Sequence, residues 1–265
     1  MKSCPECGKN LITMSKIYYI LGLINTDGSF TASQYERMYK MGLGQMEMLD
    51  LLLSEMNEKF ANNIAKRPHN KITVKSRKTY AIVGHGENWK EQAIKLKGKG
   101  ISVISTDVCA TELIEMGIIP EFIVTLEEAE KNVNEHMFDF ELIKKYKIKV
   151  IGSIITREWL EERCKKEGIH FQRFKGYSQS MVANVGHFGA VVAYSFFADR
   201  IILIGMNCYG KEPYPWLDWY SQWRTWISTT TDNLIINCTE GGILYFDKVF
   251  DIDLDDLIIE EGHPQ

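Results

Sequence analysis

From Thr79 to Cys238 the chain alternates short apolar runs with stretches of helical length, and no other feature constrains its fold as strongly. The apolar runs fall at residues 80–83, 101–104, 122–125, 149–152, 200–204 and 234–238, with a further short strand expected at 170–174. Between them the pattern predicts helices at 89–96, closed by Gly98 and Gly100; from Asp107 to Met116, stopped by Gly117; at 133–146; at 157–167, ended by Gly168; at 186–197; and over the tryptophan-rich stretch 214–228. Glycine just past a periodic segment is the usual helix stop, because it enters the left-handed region without a Cβ penalty. Strands separated by helices in this way predict βαβ units and a largely parallel sheet. A run as uniformly apolar as Ile201-Ile202-Leu203-Ile204 fits a strand covered on both faces. The fold class expected is therefore α/β, Rossmann-like, with helices on both faces of the sheet. Ligands of such sheets sit beyond the carboxyl ends of the strands. That rule directs attention to 84–88, 106–107, 127–128, 205–207 and the segment after Cys238.

Residues 1–77 follow a different pattern and are read as a separate small α+β unit, with 78–265 as the Rossmann-like domain. A helix is expected at 16–26, a strand pair near 30–34 and 39–44, a helix at 47–60 with Leu49, Leu52, Leu53 and Met56 on one face, and a strand at 72–74. Charge divides along the same line. Residues 1–80 hold 12 Lys and Arg against 7 Asp and Glu; the remainder holds 19 against 28. A basic piece joined to an acidic one suggests two units with different partners. The acidic unit is poorly suited to nucleic acid over a broad surface, since phosphate neutralisation needs clustered cations. No run of about 18 apolar residues is present to span a bilayer, and MKSCPECGKN lacks the apolar core of a secretion signal. A cytoplasmic location is the expectation, with Cys109, Cys164, Cys208 and Cys238 as free thiols.

Several residues in the larger unit carry chemistry. Gly84-His85-Gly86-Glu87-Asn88 lies between a strand and a helix, where glycines let backbone N–H groups approach a phosphate. Trp89 stands where a full G-x-G-x-x-G fingerprint would have glycine. Asp107, at a strand end, is read as a helix N-cap, a metal ligand or a partner for a ribose hydroxyl. Glu127-Glu128, at the next strand end, is read as a Mg²⁺ ligand pair or as acids favoured by a helix dipole. Trp216, Trp219, Trp223 and Trp226 share one helical face, as a packing stripe, an acceptor platform or a membrane-surface anchor.

Four stretches taken together resemble the MptE-like family: Ala81-Ile82-Val83-Gly84-His85-Gly86; Asp107-Val108-Cys109-Ala110 through Gly117-Ile118-Ile119-Pro120-Glu121-Phe122-Ile123-Val124; Asn184-Val185-Gly186-His187; and Ile201-Ile202-Leu203-Ile204-Gly205-Met206-Asn207. The resemblance covers about residues 78–250. The family includes 6-hydroxymethylpterin diphosphokinases and the motility-associated-factor glycosyltransferases. Asn237-Cys238-Thr239-Glu240-Gly241-Gly242 looks like the N-x-T-E-G-G segment of the glycosyltransferase branch, whereas Thr125-Leu126-Glu127-Glu128-Ala129 departs from the acidic segment of the diphosphokinase branch. The resemblance thus implies a transferase acting on a nucleotide or nucleotide-sugar donor and a small-molecule or glycan acceptor, with glycosyl transfer ahead of pyrophosphoryl transfer from ATP. It implies a nucleotide site at Gly84, Gly86, Glu87, Asn88, Gly186, Gly241 and Gly242. The catalytic candidates are Asn184, Asp107, Glu240 and His187, the last as an acid or base or as a buried packing histidine. If Mg²⁺ is used, Asp107 and Glu127 are its ligands.

In the smaller unit, Ile20-Leu21-Gly22-Leu23-Ile24-Asn25-Thr26-Asp27-Gly28 resembles the motif of the LAGLIDADG homing endonucleases, with Asp27 in the place of the metal-binding acid. That resemblance implies DNA as a partner and, with one motif copy, a homodimer; the plainer reading is a turn at Asp27-Gly28. Cys4-Pro5-Glu6-Cys7 resembles one knuckle of a zinc ribbon. Zinc there needs two further ligands, from His69 or from a second copy of the chain.

Overall fold

Eight parallel strands form the central sheet of a computed structural model that describes residues 72–75, 78–126, 138–175, 184–207, 216–230, 234–239, 244 and 249–260. In chain order the elements are β1 (Ile72–Lys75), β2 (Thr79–Val83), α1 (Trp89–Ala93), β3 (Ser102–Thr106), α2 (Ala110–Glu115), β4 (Phe122–Thr125), α3 (Phe140–Lys145), β5 (Lys149–Gly152), α4 (Glu158–Glu167), β6 (Phe171–Arg173), α5 (Val185–Ser195), β7 (Arg200–Ile204), α6 (Trp216–Thr229), β8 (Ile235–Asn237), β9 (Val249–Asp251) and β10 (Leu257–Glu260). The sheet order is β6-β5-β4-β3-β2-β7-β8-β9. The chain runs outward from β2 to β6, crosses back, and runs outward again from β7. The α/β, Rossmann-like expectation is met.

Strand alternation explains the layers. Ile82, Ile104 and Val124 face α5, where Gly189 lets the helix approach. Ala81, Val83, Val103, Ile202 and Ile204 face the other way, into a core with Trp89, Ala93 and Leu113 of α1 and α2. Further along, Ile123 and Val150 pack with Ile143 of α3 and with Leu160 and Cys164 of α4. Because crossovers between parallel strands are right-handed, reversing the direction of travel moves the helices to the opposite face. The reversal at β7 is thus the reason α5 and α6 share one face while α1 to α4 cover the other.

The structure refines several expectations. The first helix is α-helical only to Ala93 and tightens into a 3₁₀ turn over Ile94–Leu96. Asp107 does not cap the next helix: it opens a 3₁₀ turn, Asp107–Cys109, whose N-cap is Thr106, and α2 starts at Ala110. Strand β1 pairs in parallel with β10, so residues just before the domain are tied to its far end. Lys95 strengthens that end. Its ammonium bonds Asp255 at 2.7 Å and Asp253 at 3.2 Å. Burial opposes ionisation of Asp253, but the Asp255 backbone N–H and Lys95 outweigh it and hold the carboxyl below its usual range. This part of the stability is present at neutral pH and is lost as the medium is acidified through that lowered value.

A Cβ at position 189 would stand 2.9 Å from Ile82 Cγ2 and 3.4 Å from Val124 Cγ2, both in the buried core. Gly189→Val is expected to destabilise the domain by about 1–3 kcal/mol or more through overpacking, measured by chemical denaturation with the slope unchanged.

Candidate functional site

The direction of the chain reverses between β2 and β7, and the turns leaving these two strands meet there. Gly84 N–H donates to Ile204 O at 2.9 Å and Gly86 N–H to Gly205 O at 2.8 Å. Such contact requires bare backbone. A Cβ on Gly84 would lie 2.9 Å from Gly205 O, one on Gly86 2.6 Å from the same oxygen, and Gly205 itself has φ 63°. Beyond the contact lies a crevice of about 240 Å³ lined by Gly84, His85, Gly86, Thr106, Val108 and, opposite, by residues 184–186 and 205–207.

Helix α5 points its N-terminus into this crevice. Asn184 is the N-cap, its Oδ1 accepting from His187 N–H at 2.8 Å. An α-helix leaves its first N–H groups without intrahelical acceptors. Here two of them belong to Val185 and Gly186, both on the crevice wall. The dipole of an 11-residue helix adds partial positive charge at the same point. A Cβ on Gly186 would overlap the thioether of Met206, which also touches the space above Gly84. Met206 therefore wedges between the two glycine walls as the crevice floor. Thr239 fixes it: the Thr239 hydroxyl accepts from Met206 N–H at 2.9 Å, and Asn237 Oδ1 in turn accepts from Thr239 N–H at 3.1 Å. The N-x-T part of the segment after β8 thus supports the floor of the crevice.

The other sequence candidates lie as follows. His187 is fully buried, its ring stacked on Trp223 with centroids 4.5 Å apart and edge-on to Trp226 at 5.2 Å. Burial pushes its pKa down to about 3. The imidazole is on the α6 side of α5, away from the residues that line the crevice, and Trp223 and Trp226 pack against α5; the side chains of Trp216 and Trp219 lie outside what is described. Asp107 is 4% exposed; its Oδ2 accepts from Thr125 Oγ1 at 2.7 Å and its Oδ1 from Val108 N–H at 2.9 Å. It ties β3 to β4 directly beneath the crevice residues Thr106 and Val108. Glu87 and Asn88 are exposed on the turn before α1, with Asn88 left-handed at φ 56°. Among the described residues no three His, Cys, Asp or Glu side chains stand together as a metal site. Cys4, Cys7, Asp27, Glu127, Glu240, Gly241 and Gly242 lie outside the described residues, as does any geometry for zinc, Mg²⁺ or DNA. Met206, within the stretch 205–207, is the floor residue to which the sequence assigns no role of its own. Its only signal is its place just past the carboxyl end of a core strand.

A doubly wound α/β domain with a glycine-walled crevice at its switch point is the class that this geometry defines. The family model for 6-hydroxymethylpterin diphosphokinase MptE-like proteins matches residues 54–212, and the chain belongs to that family, whose description is that of a transferase. The match begins after the LAGLIDADG-like stretch. No curated protein sequence matches. Among solved structures, the MAf glycosyltransferase from Magnetospirillum magneticum AMB-1 is similar at TM-score 0.49 and 14% identity, over 90% of this chain and 41% of that one. This chain therefore spans less than half of that protein's length. No described helix is long and apolar enough to cross a membrane.

His187 should show no imidazole titration by NMR between pH 5 and 8, because its folded pKa lies near 3 against about 6.5 for a free histidine. With the folded value depressed, the neutral ring contributes full stability above about pH 6.5 and loses it as pH falls toward the folded value. His187→Phe should flatten that acid loss. Asn184→Ala should cost about 1 kcal/mol through the lost cap, and Asn184→Asp should restore it.

Proposed function

We propose that this chain is a transferase that holds a nucleotide-linked donor in the crevice between β2 and β7, with the donor's phosphates at the N-terminus of α5. One observation carries the reading: the first-turn N–H groups of Val185 and Gly186 open into a switch-point crevice whose walls are glycine backbone. Backbone donors at a helix start suit a phosphate. The missing Cβ atoms of Gly84, Gly86 and Gly186 let Gly205, Met206 and Asn207 close up around the crevice, and the ligand meets the three glycines as bare backbone in this proposal. Asn184 caps the helix and faces the ligand. Glu87 and Asn88, exposed on the turn before α1, contact the sugar or base in this proposal. Glu240, Gly241 and Gly242 follow directly on Thr239, which supports the floor, and they close over the donor in this proposal.

Glycosyl transfer is the favoured reaction, on the N-x-T-E-G-G segment whose first half underpins Met206. The alternative is pyrophosphoryl transfer from ATP, which the description of the family supports. Mg²⁺ would then draw on Asp107 and Glu127. Of these, Asp107 has a hydrogen bond on each carboxylate oxygen in this structure and would have to exchange one for the metal.

A thermal-shift panel of CMP, CTP, UDP, GDP and ATP, each with and without Mg²⁺, tests the proposal. A ligand at about 100 times its dissociation constant stabilises by about 2.7 kcal/mol. A Mg²⁺-independent shift with one pyrimidine nucleotide, weakened in Asn184→Ala and retained in Asn184→Ser, is the expected result. A Mg²⁺-dependent shift with ATP alone selects the diphosphokinase reading. No shift with any nucleotide removes both.

A further inference from the structure

Parallel strands give this domain two unlike edges. The carboxyl ends form the crevice; the amino ends form a basal edge on the opposite side. On that edge Lys78 precedes β2, Lys147 and Lys149 lead into β5, and Phe197 follows α5. All four are exposed, Phe197 to 82%. Ile119 and Tyr146, each 40% exposed, lie on the same edge, after α2 and α3.

The backbone shows that these side chains are kept at a conformational cost. Lys78, Lys147 and Phe197 have φ of 65°, 55° and 56°, in the left-handed region. Two neighbouring helices end on the same edge with glycine in that conformation, Gly117 at 79° and Gly168 at 74°. After α3 and α5 the chain instead places a lysine and a phenylalanine, although glycine would be the relaxed residue. Strain retained at an exposed position points to a use for the side chain.

Contacts join Lys78 and Lys149 to the turn that carries Phe197, while Lys147 shares the edge through its place before β5. Asp199 N–H donates to Lys78 O at 2.8 Å, which holds Lys78 beside the turn that carries Phe197. Phe196 packs on Phe122 with centroids 5.1 Å apart, and Lys149 Nζ sits 5.1 Å from the centre of the same Phe122 ring. Helix dipoles account for Lys144 and Lys145 in the last turn of α3. They do not account for Lys78 or Lys149, which stand at strand starts, or for a nearly bare phenylalanine.

We propose that this basal edge is a peripheral docking surface for a bilayer with anionic headgroups, Phe197 entering the interface and Lys78, Lys147 and Lys149 meeting lipid phosphates. A single protruding ring flanked by lysines matches interfacial insertion combined with surface charge. Nucleic acid would ask for a groove or a platform of several rings. The unit from residue 81 on is acidic as a whole, and this edge also carries the exposed Glu121 and Asp199, so the attraction comes from the local excess of the three lysines over these two acids. Docking in this way leaves the crevice, on the opposite edge, turned to solvent.

The test is co-sedimentation of the full chain with phosphatidylcholine vesicles, with and without phosphatidylglycerol, across a salt series. Binding is expected only with phosphatidylglycerol and should weaken with salt. Phe197→Gly should lower it about tenfold and Lys147→Gly about fivefold, with thermal midpoints equal to or above the wild type, because each change relaxes a left-handed residue. Equal binding to neutral vesicles, or no binding to anionic ones, would overturn the proposal. So would anionic binding that both variants retain, which would assign the affinity elsewhere, such as to the basic residues before Lys78. Duplex DNA binding that both variants weaken, without vesicle binding, would replace the bilayer by nucleic acid.

Discussion

The contact on which the rest of the site depends is the pair of backbone hydrogen bonds that joins the turns after β2 and β7. Gly84 N–H to Ile204 O and Gly86 N–H to Gly205 O bring two chain segments closer than any side chain would allow. The contact marks where the winding of the sheet reverses. With neighbouring crossover helices on opposite faces there, no described connection covers the strand ends, and a crevice is left. Glycine is needed at Gly84, Gly86 and Gly205 for this geometry, whatever else the loop does. The two glycine N–H groups in these bonds are therefore engaged by Ile204 and Gly205, which is why the proposed phosphate site rests on the start of α5 and not on the glycine turn.

Helix α5 joins sheet, core and site. Its Gly189 sits against the sheet, its His187 is packed between α5 and the tryptophans of α6, and its first turn faces the crevice. The hydrogen bond from His187 N–H to Asn184 Oδ1 connects these roles, since the residue buried behind the helix also anchors the cap in front. A neutral, buried His187 is consistent with a structural duty: burying a charged imidazole there would be costly, and the lowered pKa avoids it.

Much of this was legible in the sequence because the signals were local. The seven strands expected from 80 to 238 all appear, and Gly117 and Gly168 end their helices as read. The short strands β9 and β10 were not legible, since 249–251 and 257–260 sit among aspartates and glutamates and gain their pairing only from β8 and from β1. The carboxyl-end rule found 84–88 and 205–207, which do meet. It did not reveal that Met206 fills the space between them, or that Thr239 fixes Met206, because those contacts join segments far apart in the chain. His187 read equally as a proton carrier or a packing residue, and only the stacking of Trp223 distinguishes the two. Asp107 read as a cap, a metal ligand or a ribose partner; its carboxylate accepts from Thr125 across the sheet, a contact between strands that no local pattern signals.

The central claim is that a nucleotide's phosphates sit at the start of α5, over the junction of β2 and β7. Hydrogen exchange of the full chain, followed by mass spectrometry with and without the nucleotide that gives the largest thermal shift, tests it most directly. The account predicts slowed exchange in peptides covering 184–188, together with 84–88 and 205–207, and little change at the basal ends of the strands. Protection confined to other segments, with 184–188 exchanging as in the free protein, would contradict it.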